Sequence, residues 1–174
     1  DEVDAVRAVD GQNVVSFETG YHYMMFHNTD TLELEVREAI DLAIDREALV
    51  AVLNGGTGTR SVFPDYSPFH LPDAAGSLQG DAAAAEAKLD AAGWTLDGTT
   101  GLRTKAGADL TVRLVAYPQR AGLPIMQPVI ESALTALGIT VTSITTSAAN
   151  WDELDTITAD RTFDLLMWAQ NTLP

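Results

Sequence analysis

The sequence predicts an α/β fold in which a mixed sheet is flanked by helices. From residue 110 to residue 168, strand-like and helix-like segments alternate, which is typical of a partly parallel sheet covered by helices. Residues 163–168 are almost continuously apolar, as in a strand that is buried on both faces. With 174 residues, of which 46% are hydrophobic, the chain is long enough to bury the core of one domain.

The first half of the chain begins with two extended segments, residues 14–18 and 21–26, which are separated by Gly20. A single long helix is predicted next, because apolar residues recur at helical spacing. The positions that share its buried side are Val36, Ile40, Ala43, Ile44 and Ala51. The helix should end at Asn54 and Gly55, since both residue types favour the left-handed conformation that follows a helix.

Residues 55–72 contain several glycines and three prolines, and they predict a long irregular loop. Long loops in compact domains are often functional, so this one is a candidate for contact with a ligand. Asp81 is placed to cap a short helix that ends at Ala92. Hairpin-like turns are then expected around Gly101 and Gly107.

The second half of the chain supplies the alternating elements. A strand over residues 110–117 leads to a helix over residues 124–137, with proline in its first turn and glycine after its end. A strand over residues 139–144 follows at once. Asn150 is expected to cap another short helix before the apolar strand over residues 163–168.

Composition excludes several classes of protein. The net charge of −15 disfavours binding to nucleic acid or to an anionic membrane. Cysteine is absent, which excludes disulfides, thiolate metal sites and a cysteine nucleophile. No apolar stretch is long enough to span a bilayer, and the acidic first residues are unlike a signal peptide. We therefore expect a mature or trimmed piece of a protein.

We predict no catalytic residue, cofactor or metal site. The glycines of residues 55–58 follow a helix and lack the lysine of a phosphate-binding loop. His22, His27 and His70 do not form a zinc-binding spacing. Arg46 is interpreted as a member of a structural ion pair rather than as a ligand contact. A binding protein is favoured over a hydrolase or transferase built from dispersed residues.

Several short stretches occur in an order and at spacings that are specific only when taken together. They are residues 26–29 (FHNT), 36–50 (VREAIDLAIDREALV), 88–94 (KLDAAGW), 97–98 (DG), 137–139 (LGI) with Val141, Trp151, and 163–168 (FDLLMW). In combination they resemble bacterial extracellular solute-binding proteins of family 5, which serve peptide and nickel ABC importers. The resemblance extends from about residue 14 to the end of the chain.

The resemblance implies a lobe of the type II periplasmic-binding-protein fold. Residues 1–174 would form a single domain, most of the C-terminal lobe of a longer two-lobed protein, without the N-terminal lobe and the extreme C-terminus. The expected ligand is an oligopeptide, a metal chelate such as a nickel complex, or another small solute, and the expected partner is an ABC transporter permease. Location outside the cytoplasmic membrane follows, with membrane attachment only through a possible lipid anchor outside this segment. An alternative is the ligand-sensing domain of a transcriptional regulator.

The resemblance also implies where ligand would bind. Trp168 matches a tryptophan that ends the last core strand and lines the pocket, so its ring should stack on ligand. Three residues later Asn171 stands where peptide-binding members tend to have an aspartate, and an amide supplies no charge. Gln170 and Thr172 belong to the same loop. The weaker cleft candidates are Tyr21, His22 and Tyr23, followed by the loop aromatics Phe63, Tyr66 and Phe69.

Overall fold

The computed structural model describes residues 2–15, 20–64, 66–71 and 76–171. Six helices and seven strands lie within these residues. In chain order they are α1 (Glu2–Arg7), β1 (Tyr21–His27), α2 (Leu34–Ala43), α3 (Arg46–Leu53), α4 (Ala82–Ala91), β2 (Thr95–Leu96), β3 (Arg103–Lys105), β4 (Ala108–Asp109), β5 (Thr111–Ala116), α5 (Gly122–Ala136), β6 (Thr140–Thr145), α6 (Asp152–Ala159) and β7 (Leu165–Asn171).

The main sheet contains four strands in the order β1-β7-β5-β6 and is mixed, as the sequence predicts. β5 runs parallel to both of its neighbours, β6 and β7. β1 runs antiparallel to β7, with Tyr21 opposite Asn171 and His27 opposite Leu165. Helices α5 and α6 make the two connections between parallel strands, which antiparallel hairpin turns cannot make.

The hydrophobic core lies between this sheet and the helices. α5 packs across β5, β6 and β7, and α2 packs against both α5 and α4. Leu165, Leu166 and Met167 in β7 are all buried, so the prediction of a strand covered on both faces is confirmed. The buried amide of Gln127 in α5 donates hydrogen bonds to the carbonyl oxygens of Leu114 and Ile144, which ties the helix to β5 and β6.

The predicted single helix over residues 36–53 is wrong, because the chain forms α2 and α3 with a break between them. Ile44 is extended, and the Asp45 side chain caps α3 by accepting a hydrogen bond from the backbone N–H of Ala48. The backbone of residues 78–81 crosses at the break. Its Leu78 carbonyl accepts from the N–H of Arg46, and its Asp81 N–H donates to Leu42.

The break changes which residues are buried. Val36, Ile40, Ala43 and Ile44 lie in the core as predicted, but Ala51 is exposed. A continuous helix would have kept all five on one side, whereas the bend at Asp45 turns α3 to a new direction. The end of α3 is as predicted, since Asn54 adopts the left-handed conformation (φ 54°).

The chain before β1 differs from the prediction. α1 was not predicted, and Val14 and Val15 belong to no strand. The rest of the strand predicted over residues 14–18, from residue 16 onward, lies outside the described residues. At the other end of the chain, Asn150 lies one residue before the N-cap of α6, where its side chain accepts from the N–H of Asp152.

A second, smaller sheet is formed by β2, β3 and β4, where the sequence predicts hairpin-like turns. Its Arg103 is 2% exposed and is the largest fully buried side chain described. The guanidinium donates to the Leu137 and Trp94 carbonyl oxygens and pairs with Asp90. These contacts join the small sheet to the ends of α4 and α5.

The described part of the loop over residues 55–71 contains neither helix nor strand, as predicted. Arg60 in this loop and Arg46 in α3 both form ion pairs with Asp41 in α2. The predicted structural ion pair of Arg46 is therefore present, and it also anchors the loop. Of the helices described, none combines the length and apolar character needed to cross a bilayer.

Candidate functional site

The carboxyl ends of the parallel strands β5, β6 and β7 meet at one edge of the main sheet, where β1 begins. In open α/β sheets, ligands bind outside the carboxyl ends of the strands. Residues 117–121 follow β5 at this edge, and residues 146–151 follow β6. The last residues of β7 lie at the same edge. Side chains at this edge are therefore placed where they could hold a ligand.

Four aromatic side chains, which we call the aromatic wall, gather at this edge. They are Tyr21, Tyr117, Trp151 and Trp168. Tyr117 is fully buried, and its ring centroid lies 5.5 Å from that of Trp151 and 5.3 Å from that of Trp168. The two tryptophans keep part of their surface in solvent, and Trp151 is 41% exposed. Tyr117 thus holds two partly open indoles in place.

Arg120 lies within the aromatic wall. Its guanidinium carbon is 6.0 Å from the ring centroids of both Tyr21 and Trp151, which places the cation where the electron-rich ring faces attract it. One terminal nitrogen donates to the Gln119 carbonyl oxygen at 3.1 Å. The Nε–H is buried and has no hydrogen-bond partner. Arg120 therefore retains capacity to bind an anionic group.

Two more buried polar atoms have no hydrogen-bond partner among the described residues. One belongs to the residue before Arg120, and the other belongs to the residue directly after β6. They are Oε1 of Gln119 and Oγ1 of Thr146. The Gln119 side chain is held in position because its Nε2 donates to the carbonyl oxygens of Ser147 and Asn150. Buried polar atoms in native structures are normally satisfied by protein, water or ligand. These atoms are therefore suited to hydrogen bonding with a bound molecule or with water around it.

The Tyr117 hydroxyl of the aromatic wall remains uncharged at neutral pH. Burial is the main cause that raises the pKa of Tyr117, and burial likewise raises the pKa of Tyr23 on β1. The nearby acids of α6 already have partners, since Glu153 accepts from the Ser147 N–H and Asp152 from the Asn150 amide. Arg120 thus provides the charge that faces the aromatic wall.

Trp168 is partly exposed, as its predicted role requires. It lines an apolar surface pocket of about 340 Å³ together with residues of β1, β7 and the end of α6. The remaining lining residues are Phe26, Thr158, Arg161, Phe163 and Leu166. The indole N–H donates to Oε1 of Gln170 at 3.2 Å, so one predicted site residue orients another.

The structure brings four other predicted residues to the same end of the sheet and divides them between its faces. Tyr21 pairs with Asn171, and His22 pairs with Gln170. Because paired residues share a face and successive residues alternate, His22 and Gln170 lie on the Trp168 face, whereas Tyr21 and Asn171 lie on the other. Tyr21 joins the aromatic wall at the end of the sheet through its contact with Arg120. Thr172 is outside the described residues.

Three residues of the site were not predicted as functional. Tyr117 and Arg120 follow β5, and Trp151 precedes α6. The signal that would have found them is their position directly after predicted parallel strands. The loop aromatics Phe63 and Phe69 pack on each other, with centroids 5.6 Å apart. Among the described residues, no group of three or more histidine or acidic side chains is arranged to hold a metal ion.

The mixed sheet flanked by helices is the fold of type II periplasmic-binding proteins, as the comparisons with known proteins show. Residues 1–173 match the family model of bacterial extracellular solute-binding proteins, family 5 Middle. The chain belongs to this family. No curated protein sequence matches the chain.

Solved structures agree with this fold. A nickel ABC transporter structure from Bacillus halodurans is 25% identical, with a TM-score of 0.80 over 98% of this chain and 35% of that chain. Lactococcal OppA, solved with an endogenous peptide in the closed conformation, is 20% identical, with a TM-score of 0.81 over 98% of this chain and 36% of that chain. NikA from Brucella suis, solved with Fe(III)-EDTA, is 24% identical, with a TM-score of 0.74 over 86% and 30%. The chain thus spans about a third of the length of these proteins.

Proposed function

We propose that this chain forms one wall of the ligand cleft in the extracytoplasmic substrate-binding component of an ABC importer. The observation that carries the proposal is the aromatic wall at the carboxyl ends of the parallel strands, where two partly open indoles pack on Tyr117 and the Arg120 cation lies over Trp151. A wall of this kind can stack on a ligand and bind it without chemical conversion. The proposed role is therefore non-enzymatic.

In this proposal the described lobe is most of the C-terminal lobe of a two-lobed protein, and the rest of the protein covers the aromatic wall. Two facts support this organisation: the chain spans about a third of the length of its structural relatives, and the described residues cover Trp151 and Trp168 only in part. Closure of two lobes around a solute is a hinge motion that would bury both indoles. The closed form would then deliver the solute to the permease.

The site favours a solute that has a flat or apolar part and a carboxylate. Trp168 and Trp151 offer ring surface, and Arg120 offers a charged donor beside Trp151. Peptides and carboxylate-bearing metal chelates both have these groups. Asn171 supplies no negative charge, so an α-ammonium group would not gain an ion pair from this residue. We propose Gln170, Asn171, Thr172, Tyr21 and His22 as further contacts at the rim.

Calorimetry on the complete two-lobed protein tests the proposal, with a defined peptide mixture and nickel–histidine as probes. Trp168→Ala should weaken binding about tenfold or more, since buried aromatic contacts carry much of the energy of an interface. Tyr66→Ala is the matched control, because Tyr66 is an exposed loop aromatic (56%). Equal affinity in both variants, or equally tight binding by the 174-residue chain alone, would contradict the proposal.

A further inference from the structure

A second pocket lies at the opposite end of β1 from the aromatic wall. It is lined by His27, six residues beyond Tyr21, which corresponds to a distance of about 20 Å along a strand. We call it the α2 pocket, since most of its lining belongs to α2, and its volume is about 470 Å³. The lining residues are His27, Leu34, Arg37, Glu38, Asp41, Leu42 and Lys88.

Basic side chains gather at the α2 pocket, although the chain as a whole is strongly acidic. The chain has ten basic side chains and a net charge of −15. Four of those ten gather here: Arg37 and Lys88 line the pocket, and Arg46 and Arg60 contact the lining residue Asp41. The lining itself holds two cations and two carboxylates, and Arg46 and Arg60 are two further cations that both contact Asp41.

Both carboxylates of the pocket are already engaged. Glu38 accepts from the ammonium group of Lys88 at 2.6 Å. The two oxygens of Asp41 accept from Arg46 and Arg60 respectively. Neither acid is therefore available to Arg37, although both lie on the same helix.

Arg37 is the unpaired cation of the pocket. Its guanidinium makes no ion pair or hydrogen bond with the described residues, and its Nε–H is buried. A buried donor without an acceptor is costly, so this group has a physical requirement for an acceptor from outside the described chain. The fork of a guanidinium matches the two oxygens of a carboxylate.

The surroundings of Arg37 restrict the form of the acceptor. Burial is the first cause that lowers the pKa of His27, and Arg37 lowers it further while Asp41 opposes them, so the imidazole is uncharged at neutral pH and can donate a hydrogen bond. Leu34 is 52% exposed and lies beside Leu42 in the lining. Both leucines offer apolar surface to the body of a ligand.

We propose that the α2 pocket binds a carboxylate that is attached to a short aliphatic group. The carboxylate pairs with the Arg37 guanidinium, and the aliphatic part covers Leu34 and Leu42. Two sources have this chemistry: a free organic acid, or an aspartate or glutamate side chain from the remainder of a longer protein. The site is separate from the aromatic wall and does not depend on the proposed function.

Titration of the chain with butyrate, followed through the NMR signal of the Arg37 side-chain N–H, tests the proposal. Butyrate should shift this signal in a saturable way, whereas neutral butyramide, which has the same shape, should not. Arg37→Gln should reduce affinity about tenfold or more, because hydrogen bonds to charged groups are strong. Arg7→Gln, which removes an exposed arginine from α1, should leave affinity unchanged. Equal shifts with both probes, or unchanged affinity in Arg37→Gln, would overturn the proposal.

The same signal in the complete protein identifies the source. If a side chain of the protein supplies the carboxylate, the Arg37 N–H exchanges slowly with solvent and butyrate no longer shifts it. If a free acid is the ligand, butyrate still binds. An Arg37 N–H that exchanges rapidly and ignores butyrate in the complete protein would overturn the proposal, because neither source would then occupy the site.

Discussion

The ring of Tyr117 meets the ring of Trp168 edge to face, with their centroids 5.3 Å apart. The Tyr117 hydroxyl accepts a hydrogen bond from the backbone N–H of Ala169 and donates one to its carbonyl oxygen. Among the described residues, β5 and β7 pair through their backbones at Leu165 and Leu166. The Tyr117 hydroxyl adds hydrogen bonds between the two strands further along β7, next to Trp168. Tyr117, the residue directly after β5, thus positions the indole through both its ring and its hydroxyl.

Tyr117→Phe should therefore lower stability and disturb the site. The substitution keeps the ring and removes both hydrogen bonds to Ala169, at a cost of about 1–3 kcal/mol. Urea unfolding measures the free energy of unfolding, and the fluorescence of Trp168 reports its altered position. Tyr66→Phe, on the exposed loop, is the control and should change neither. If both variants behave alike, the hydroxyl does not hold the end of β7.

Arg120→Gln should weaken the binding of carboxylate-bearing solutes to the complete protein by about tenfold or more, since a hydrogen-bonded charge is lost. Neutral analogues of the same solutes should lose little affinity, because the aromatic rings remain. Calorimetry with a peptide and its C-terminal amide separates the two effects. An equal loss for both peptides would show that Arg120 supports the fold of the loop rather than the ligand's charge.

Asp41→Asn should release the loop over residues 55–71, because the amide cannot neutralise both Arg46 and Arg60. Trypsin cleaves after arginine, so limited proteolysis should cut after Arg60 faster in this variant. Glu38→Gln is the control, since it removes an exposed ion pair with Lys88 from the same helix. Unchanged cleavage after Arg60 would mean that other contacts anchor the loop.

Because of Asp164, the free energy of unfolding should depend on pH in the acid range. Burial alone would raise its pKa, but hydrogen bonds from Arg113 and Thr31 lower the pKa below its ordinary value. A carboxyl with a lowered pKa in the folded state stabilises the fold above its unfolded pKa, and this stabilisation is lost as pH falls through the folded pKa. Asp164→Asn should be less stable at neutral pH by about 1.5–3 kcal/mol.

Measurement of the free energy of unfolding from neutral pH to about pH 3 tests the predicted direction of this pH dependence. The difference between wild type and Asp164→Asn should shrink towards the acid end. Asp97→Asn is a useful comparison, because Asp97 is exposed and its pKa is lowered by the backbone N–H groups of Thr100 and Thr99. A constant difference across the range for Asp164→Asn would contradict the assignment.

Gly138→Ala should destabilise the fold more than Gly107→Ala. Both glycines have φ 82°, so both substitutions carry the same backbone strain of about 1 kcal/mol. An added Cβ at Gly138 would lie 2.8 Å from the Gly101 carbonyl oxygen, whereas at Gly107 it would meet nothing within 4 Å. Thermal unfolding of the two variants measures the difference. Equal melting temperatures would contradict the predicted steric term.

The sequence predicted the strands and helices of the second half well. Leu110, Val112 and Leu114 alternate with more exposed residues and lie in the core, and Leu134 and Leu137 mark the buried side of α5. Patterns of this kind are local, since the periodicity of burial is visible within one element. They therefore predict an element correctly without knowledge of its neighbours.

The candidate site was predicted only in part. Trp168, Gln170, Asn171, Tyr21 and His22 were expected from a family resemblance, but the pairing of β1 with β7 that brings them together was not. Tyr117, Arg120 and Trp151 were not expected, because no local pattern distinguishes a tyrosine at a strand end from an ordinary core residue. Their common location depends on the alignment of three parallel strands.

The order of residues by itself determined the α/β class, the alternation after residue 110 and the absence of any cysteine chemistry, because composition and periodicity are properties of the chain alone. Only the tertiary structure decided that the helix breaks at Asp45, where the backbone of residues 78–81 supplies hydrogen bonds from a distant part of the chain. It also decided that Tyr117 packs on both Trp151 and Trp168 and that Arg120 lies over Trp151. The physical reason is the same in both cases, since contacts between residues far apart in sequence form only when the sheet and helices pack.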